Sequence, residues 1–115
     1  MKQVVWLYGS RVRLKSFPRS VQKHVGQALF LAQDGQKSDR AKPLHGMGSG
    51  VFEIVTNDTS GTYRAVYSVS IGSSIYVLHV FQKKSKSGIS TPKSDMEIVR
   101  QRILRLRRDL EGVVV

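Results

Sequence analysis

Apolar and polar residues alternate along this chain in two rhythms, one of period two and one near 3.6, and the switches between them mark its elements. Gln3 to Leu7 is apolar and β-favouring, with Trp6 as its large anchor. After Phe17-Pro18 the rhythm turns helical: Val21, Val25, Ala28, Leu29 and Ala32 form a one-sided stripe. A proline is well tolerated in the first turn, and Asp34-Gly35 ends the run with a residue suited to a left-handed cap. Arg11 to Lys15 has room for one helical turn, too short a pattern to assign. Gln36 to Gly50 is polar and glycine-rich and reads as a connecting loop.

Three strand-like segments follow, Val51 to Thr56, Thr62 to Ser70 and Ile75 to Lys83. The last is apolar at both parities, with Ile75, Val77 and Phe81 on one side and Tyr76, Leu78 and Val80 on the other. Such a strand belongs in the middle of a sheet. A final helix is expected from Thr91-Pro92 or from Ser94, where Ser94 and Glu97 have capping-box spacing. Its stripe is Met96, Val99, Ile103, Leu106 and Leu110. The order β-α-β-β-β-α, without a repeat or a long linker, predicts one α+β domain over residues 1–115. Its sheet is small and antiparallel with a mixed edge, and the N-terminal helices and the C-terminal helix pack against one face.

Charge changes the picture from fold to partner. Nineteen Lys and Arg against eight Asp and Glu give a net charge of +11, a field that captures polyanions. Nucleic acid is the leading partner class and an acidic protein the second. The chain has no cysteine, which excludes disulfides and thiolate metal sites. No apolar run is long enough to span a membrane. The opening MKQVVWLYGS reads as a first strand rather than a signal peptide, so the cytoplasm is the expected compartment.

The hairpin from Tyr63 to Lys84 concentrates the candidate chemistry. A two-residue turn at Gly72-Ser73 would pair Ile71 with Ser74 and set Arg64 opposite Phe81. Arg64, Val66 and Ser68 then share a face with His79, Phe81 and Lys83, while Tyr63 and Lys84 project from the other. A guanidinium, an ammonium and an aromatic ring in one place suit an RNA site. The competing assignment makes Phe81 a core residue and pairs Arg64 with Glu53 on the neighbouring strand. Tyr67 is a candidate for stacking or proton donation, with core packing as its alternative.

The eight acids fall mostly in turns or on helices, a poor basis for a two-metal site. RNA cleavage would instead take the metal-free and cofactor-free route, in which the 2′-hydroxyl attacks its own phosphate. His79, within an apolar strand, is the best-placed imidazole, though burial is its simplest reading. His45, in the glycine loop, is a candidate to reach a substrate, with an ordinary exposed loop residue as its simpler reading, and His24 reads as a surface residue beside the α-helical stripe. The loop Gly46-Met47-Gly48-Ser49-Gly50 precedes a strand and has no Gly-Lys-Ser/Thr, so it is a poor phosphate cradle. Lys86 in the basic loop KSKSGIST and Arg100 on the arginine-rich last helix are candidates for phosphate contact.

In order and spacing, LHGMGSGVFEIVT, GTYRAVYSV, IYVLHVFQKKS and TPKSDMEIVRQRI resemble the RelE/ParE toxin superfamily, nearest its phage-derived HigB-like branch. The resemblance spans residues 44–103, and more loosely the first strand and the FPRSV helix. It implies a small basic type II toxin that cuts mRNA on the ribosome without a metal and is blocked by an antitoxin. In the HigB-like branch that antitoxin is a helix-turn-helix (HigA-like) protein. Carried over, the strand arginine is Arg64, and the FxKK segment supplies Phe81, Lys83 and Lys84. Glu53 matches a glutamate that acts as a structural partner, and Lys93 adds phosphate contact. The chain ends in RRDLEGVVV, lacking the terminal tyrosine or histidine of some relatives, which leaves its base and acid open. The rival targets are DNA gyrase, as in the ParE-like branch, and nucleic acid bound without catalysis.

Overall fold

The computed structural model describes residues 1–83 and 91–112. In chain order its elements are β1 (Val4–Trp6), α1 (Ser10–Lys15), α2 (Arg19–Gln33), β2 (Ala41–Pro43), β3 (Val51–Asp58), β4 (Gly61–Ser68), β5 (Ile75–Lys83) and α3 (Lys93–Glu111). They form one five-stranded sheet in the order β1-β5-β4-β3-β2. β1 runs parallel to β5, and every other neighbouring pair is antiparallel. The expected α+β architecture with a mixed edge is therefore the observed one. Two short elements join it: α1, and β2 inside the segment read as loop.

Helices cover both faces of the sheet, a correction to the one-sided packing expected. The stripe of α2 lies with Leu14 of α1 against Ile54, Ala65, Tyr67, Val77 and Val80. Val99, Ile103 and Leu106 of α3 lie on the other face, against Val66, Tyr76, Leu78 and Phe81. The physical reason is the two-sided apolar character of β5, which sits between β1 and β4 and exposes neither face to water.

A bulge in β5 decides which side chains meet. Arg64 pairs with Phe81 and Val66 with His79, as counting predicts, but Tyr67 pairs with Val77 and Ser68 with Tyr76. Leu78 is the extra residue, so the strand changes parity there. Phe81 consequently joins Tyr76 and Leu78 on the α3 face rather than Ile75 and Val77. The two-residue turn at Gly72-Ser73 is not formed either, since the strands end at Ser68 and Ile75. The capping box is likewise absent: Pro92 occupies the N-cap of α3 without a side-chain cap, and Ser94 lies inside the helix. Among the described residues no helix is long and apolar enough to cross a membrane.

Candidate functional site

Glu53 of β3 and Arg64 of β4 are diagonal neighbours across the ladder, where Glu53 pairs with Val66 and Val55 with Arg64. Both point to the α3 side and both are buried, with Arg64 Nη1 donating to Glu53 Oε1 at 2.7 Å. Thr91, just before α3, donates its hydroxyl to Glu53 Oε2 at 2.6 Å. The same hydroxyl oxygen accepts from Arg64 Nη1 at 3.4 Å. Thr91 therefore fastens the start of α3 to the ion pair.

Lys83 stands at the end of β5, opposite Thr62, and is buried. Burial pulls its pKa below the ordinary lysine value; the charges of Arg64 and Lys42 act in the same direction and Glu53 opposes them. Lys42 enters because β2 sets it directly opposite Glu53. Lys42, Arg64 and Lys83 thus gather around the Glu53 carboxylate. Beside them opens a cleft of about 380 Å³ lined by Lys42, Pro43, Leu44, His45, Glu53, Thr91 and Met96. That volume lies within the range of small-ligand sites. Among the described residues, no three His, Asp or Glu side chains gather as a metal site.

His79 is held in a network of its own. Arg102 Nη1 donates to its Nδ1 at 3.1 Å and to the Leu78 carbonyl at 2.7 Å. Its other nitrogen, Nε2, therefore carries the proton and donates to Asp95 Oδ1 at 2.8 Å. The ring stacks on Phe81 at 4.9 Å. Burial lowers its pKa; the hydrogen bond to Asp95 opposes that shift, and the charge of Arg102 reinforces it. This imidazole joins β5 to α3.

The remaining candidates separate by depth. Phe81 and Tyr67 are each 1% exposed, Phe81 under α3 and Tyr67 on the opposite face, stacked on Phe52. Burial pushes the Tyr67 phenol up to about 12, which keeps its proton in place. Lys93 and Arg100 are exposed on α3, and Arg100 Nη1 pairs with Glu97 at 2.9 Å. Lys84 and Lys86 lie outside the described residues. His24 is half-buried rather than a plain surface residue, contacting Thr56 Oγ1 at 2.6 Å and Arg40 Nη2 at 3.2 Å. Lys42 and Thr91 escaped sequence reasoning, because a short edge strand and a lone hydroxyl before a helix carry no signal of their own.

From Arg13 in α1 to Leu104 in α3, residues 13–104 match the profile of the family described as Phage derived protein Gp49-like. The chain belongs to that family. Its members are RelE/HigB-like toxin-type proteins, compatible with the toxin of a toxin–antitoxin pair and with an antitoxin partner in general. No curated protein matches the chain.

Proposed function

We propose that this Gp49-like protein is the toxin of a type II toxin–antitoxin system and cuts mRNA on the ribosome. The observation that carries the reading is the gathering of Arg64, Lys83 and Lys42 around Glu53 beside the cleft, with Lys42 on its wall. That positive field draws a phosphodiester into the cleft. The ribose 2′-hydroxyl attacks the adjacent phosphorus and the bond to the 5′-oxygen breaks, leaving a cyclic phosphate and a free 5′-hydroxyl. The charges of Arg64 and Lys83, buried beside the cleft rather than on its wall, act with Lys42 to stabilise the charge that builds on the phosphorane oxygens, the largest single contribution in reactions of this kind. His45, on the cleft wall, is the imidazole available to carry the proton from the 2′-oxygen to the leaving oxygen. Lys42, Lys84, Lys86, Lys93 and Arg100 hold the backbone, and a helix-turn-helix antitoxin in the cytoplasm blocks the basic surface.

The test adds the pure protein to a translation extract and follows mRNA by primer extension. Cleavage within reading frames, lost in Arg64→Lys and reduced in His45→Ala, is expected. Intact mRNA, or cleavage undiminished in Arg64→Ala, overturns the reading. Blocked gyrase supercoiling with mRNA left whole would place the target on DNA topology instead.

A further inference from the structure

The cleft lies at the β2–β3 side of the α3-covered face, and a second charge cluster occupies the β1 side. The chain leaves β1 through Tyr8, whose φ of 55° puts a bulky residue in the left-handed region, followed by Gly9 at 74°. That strained corner lies against α3. The Tyr8 hydroxyl donates to the Arg102 carbonyl at 3.4 Å, and its ring receives two guanidinium groups, Arg102 at 5.2 Å and Arg105 at 5.3 Å. Arg13 of α1 lies close enough for its charge to act on both Arg102 and His79.

No carboxylate stands within ion-pair distance of these three arginines among the described residues. Asp95 binds the nitrogen of His79 opposite to the one that Arg102 contacts. Arg102 and Arg105 are thus held together on a strained tyrosine, and Arg13 stands near enough for its charge to reach Arg102. Burial and Arg13 both work against the charged form of Arg102. Arg102 has its Nη1 committed to Leu78 and His79, whereas Arg13 and Arg105 are exposed. Such an arrangement is costly alone and is relieved by an anion that accepts from several guanidinium forks at once.

We infer that Tyr8, Arg13, Arg102 and Arg105 form a second anion site at the β1 edge of α3, and that it takes the phosphodiester backbone of RNA. Tyr8 is the positioning residue and the arginines are the ligands. Adjacent strands are about 4.8 Å apart, so β1 and β3 are roughly 14 Å apart and one RNA can touch both sites across α3. The choice of RNA among polyanions rests on the proposed function, whereas the site itself does not.

The experiment measures anisotropy of a short labelled single-stranded RNA against the full chain over a salt series. Arg13→Gln/Arg105→Gln should weaken binding about tenfold and flatten the log–log salt slope by one to two units, about one per lost contact. Tyr8→Leu, which leaves net charge unchanged, should weaken binding several-fold. Arg19→Gln/Lys23→Gln removes the same charge from α2 and should change little. Equal losses in the two double variants, or none in the first with its melting curve unchanged, overturn the site. Loss of poly-glutamate or duplex DNA binding, with RNA binding kept, overturns the choice of RNA. Should the wild-type chain leave mRNA intact while the Arg13/Arg105 variant still loses RNA, the proposed function falls and this site stands.

Discussion

Arg64 Nη1 and Glu53 Oε1 are 2.7 Å apart where neither side chain meets solvent, at 4% and 0% exposure. A buried pair of this kind gives little net stability compared with an apolar pair, yet breaking it from one side strands a charge in the core. Arg64→Ala is therefore expected to cost about 3–5 kcal/mol, a large part of the 5–15 kcal/mol typical of a small domain. Glu53→Gln should cost as much or more, since Glu53 is the carboxylate that Arg64, Lys83 and Lys42 share. The double variant Glu53→Gln/Arg64→Gln should recover part of the loss. Urea melts of the four proteins check this, and purely additive costs would contradict the coupling. Activity lost in Arg64→Ala must accordingly be compared with Arg64→Lys, which keeps the charge.

Lys83 separates stability from function. Its pKa is lowered by burial, then by Arg64, with Glu53 opposing. A lysine with a depressed folded pKa favours the folded state most where it is neutral. That contribution is present above the unfolded value of 10.5 and is lost as pH falls through the folded pKa. At neutral pH the charge is thus a burden on the fold. Lys83→Met should leave the melting temperature unchanged or higher while lowering mRNA cleavage roughly 10²-fold, the usual effect of removing one stabilising donor. A variant that melts much lower, or cuts at the wild-type rate, counts against this role.

Much of this arrangement is legible in the sequence where the pattern is local. The pairing of Arg64 with Phe81 is met only because a longer turn and a bulge offset each other, whereas the stripe from Val21 to Ala32 and the bounds of β5 follow from periodicity. The bulge at Leu78 does not, because no glycine or proline interrupts the strand, and its parity change moves Phe81 to the α3 face. The partners of the ion pair were readable as an alternative, but not Thr91, which reaches Glu53 across 38 residues. Nor does any pattern tie Asp95 to His79 or place Lys42 beside the cleft. Such contacts depend on where α3 and β2 dock, and docking is set by the whole core rather than by neighbours in the chain.

His79 predicts an acid-sensitive fold. Burial depresses its pKa below 6.5, with Asp95 opposing and Arg102 assisting. The unfolded chain therefore takes up a proton before the folded one does, and stability falls as pH drops through and below 6.5. His24 shifts in the same direction, through burial and then Arg40 and Lys23. Thermal melts between about pH 8 and pH 5 should show a steeper decline for the wild type than for His79→Gln, with the remaining slope reduced again by adding His24→Gln. Parallel curves for the wild type and His79→Gln would remove His79 from the account.

Gly50 tests how the loop bearing His45 is held at the cleft. Its φ is 77°, its carbonyl accepts from the Val69 amide at 2.9 Å, and a Cβ there would run into the Ser70 side chain. Ser70 cannot easily yield, because its hydroxyl donates to the Ser49 carbonyl at 2.7 Å. Gly46 has a similar φ of 87° but open space around it. Gly46→Ala should therefore carry only the cost of a left-handed alanine, about 1–2 kcal/mol. Gly50→Ala adds the clash and should lose about 1 kcal/mol more, within the range of overpacking costs. Because β3 begins at Val51 and carries Glu53, the shift should reach the cleft and lower cleavage as well. Paired melts and cleavage assays of the two variants decide the matter, and equal losses would mean that Ser70 does not brace this turn.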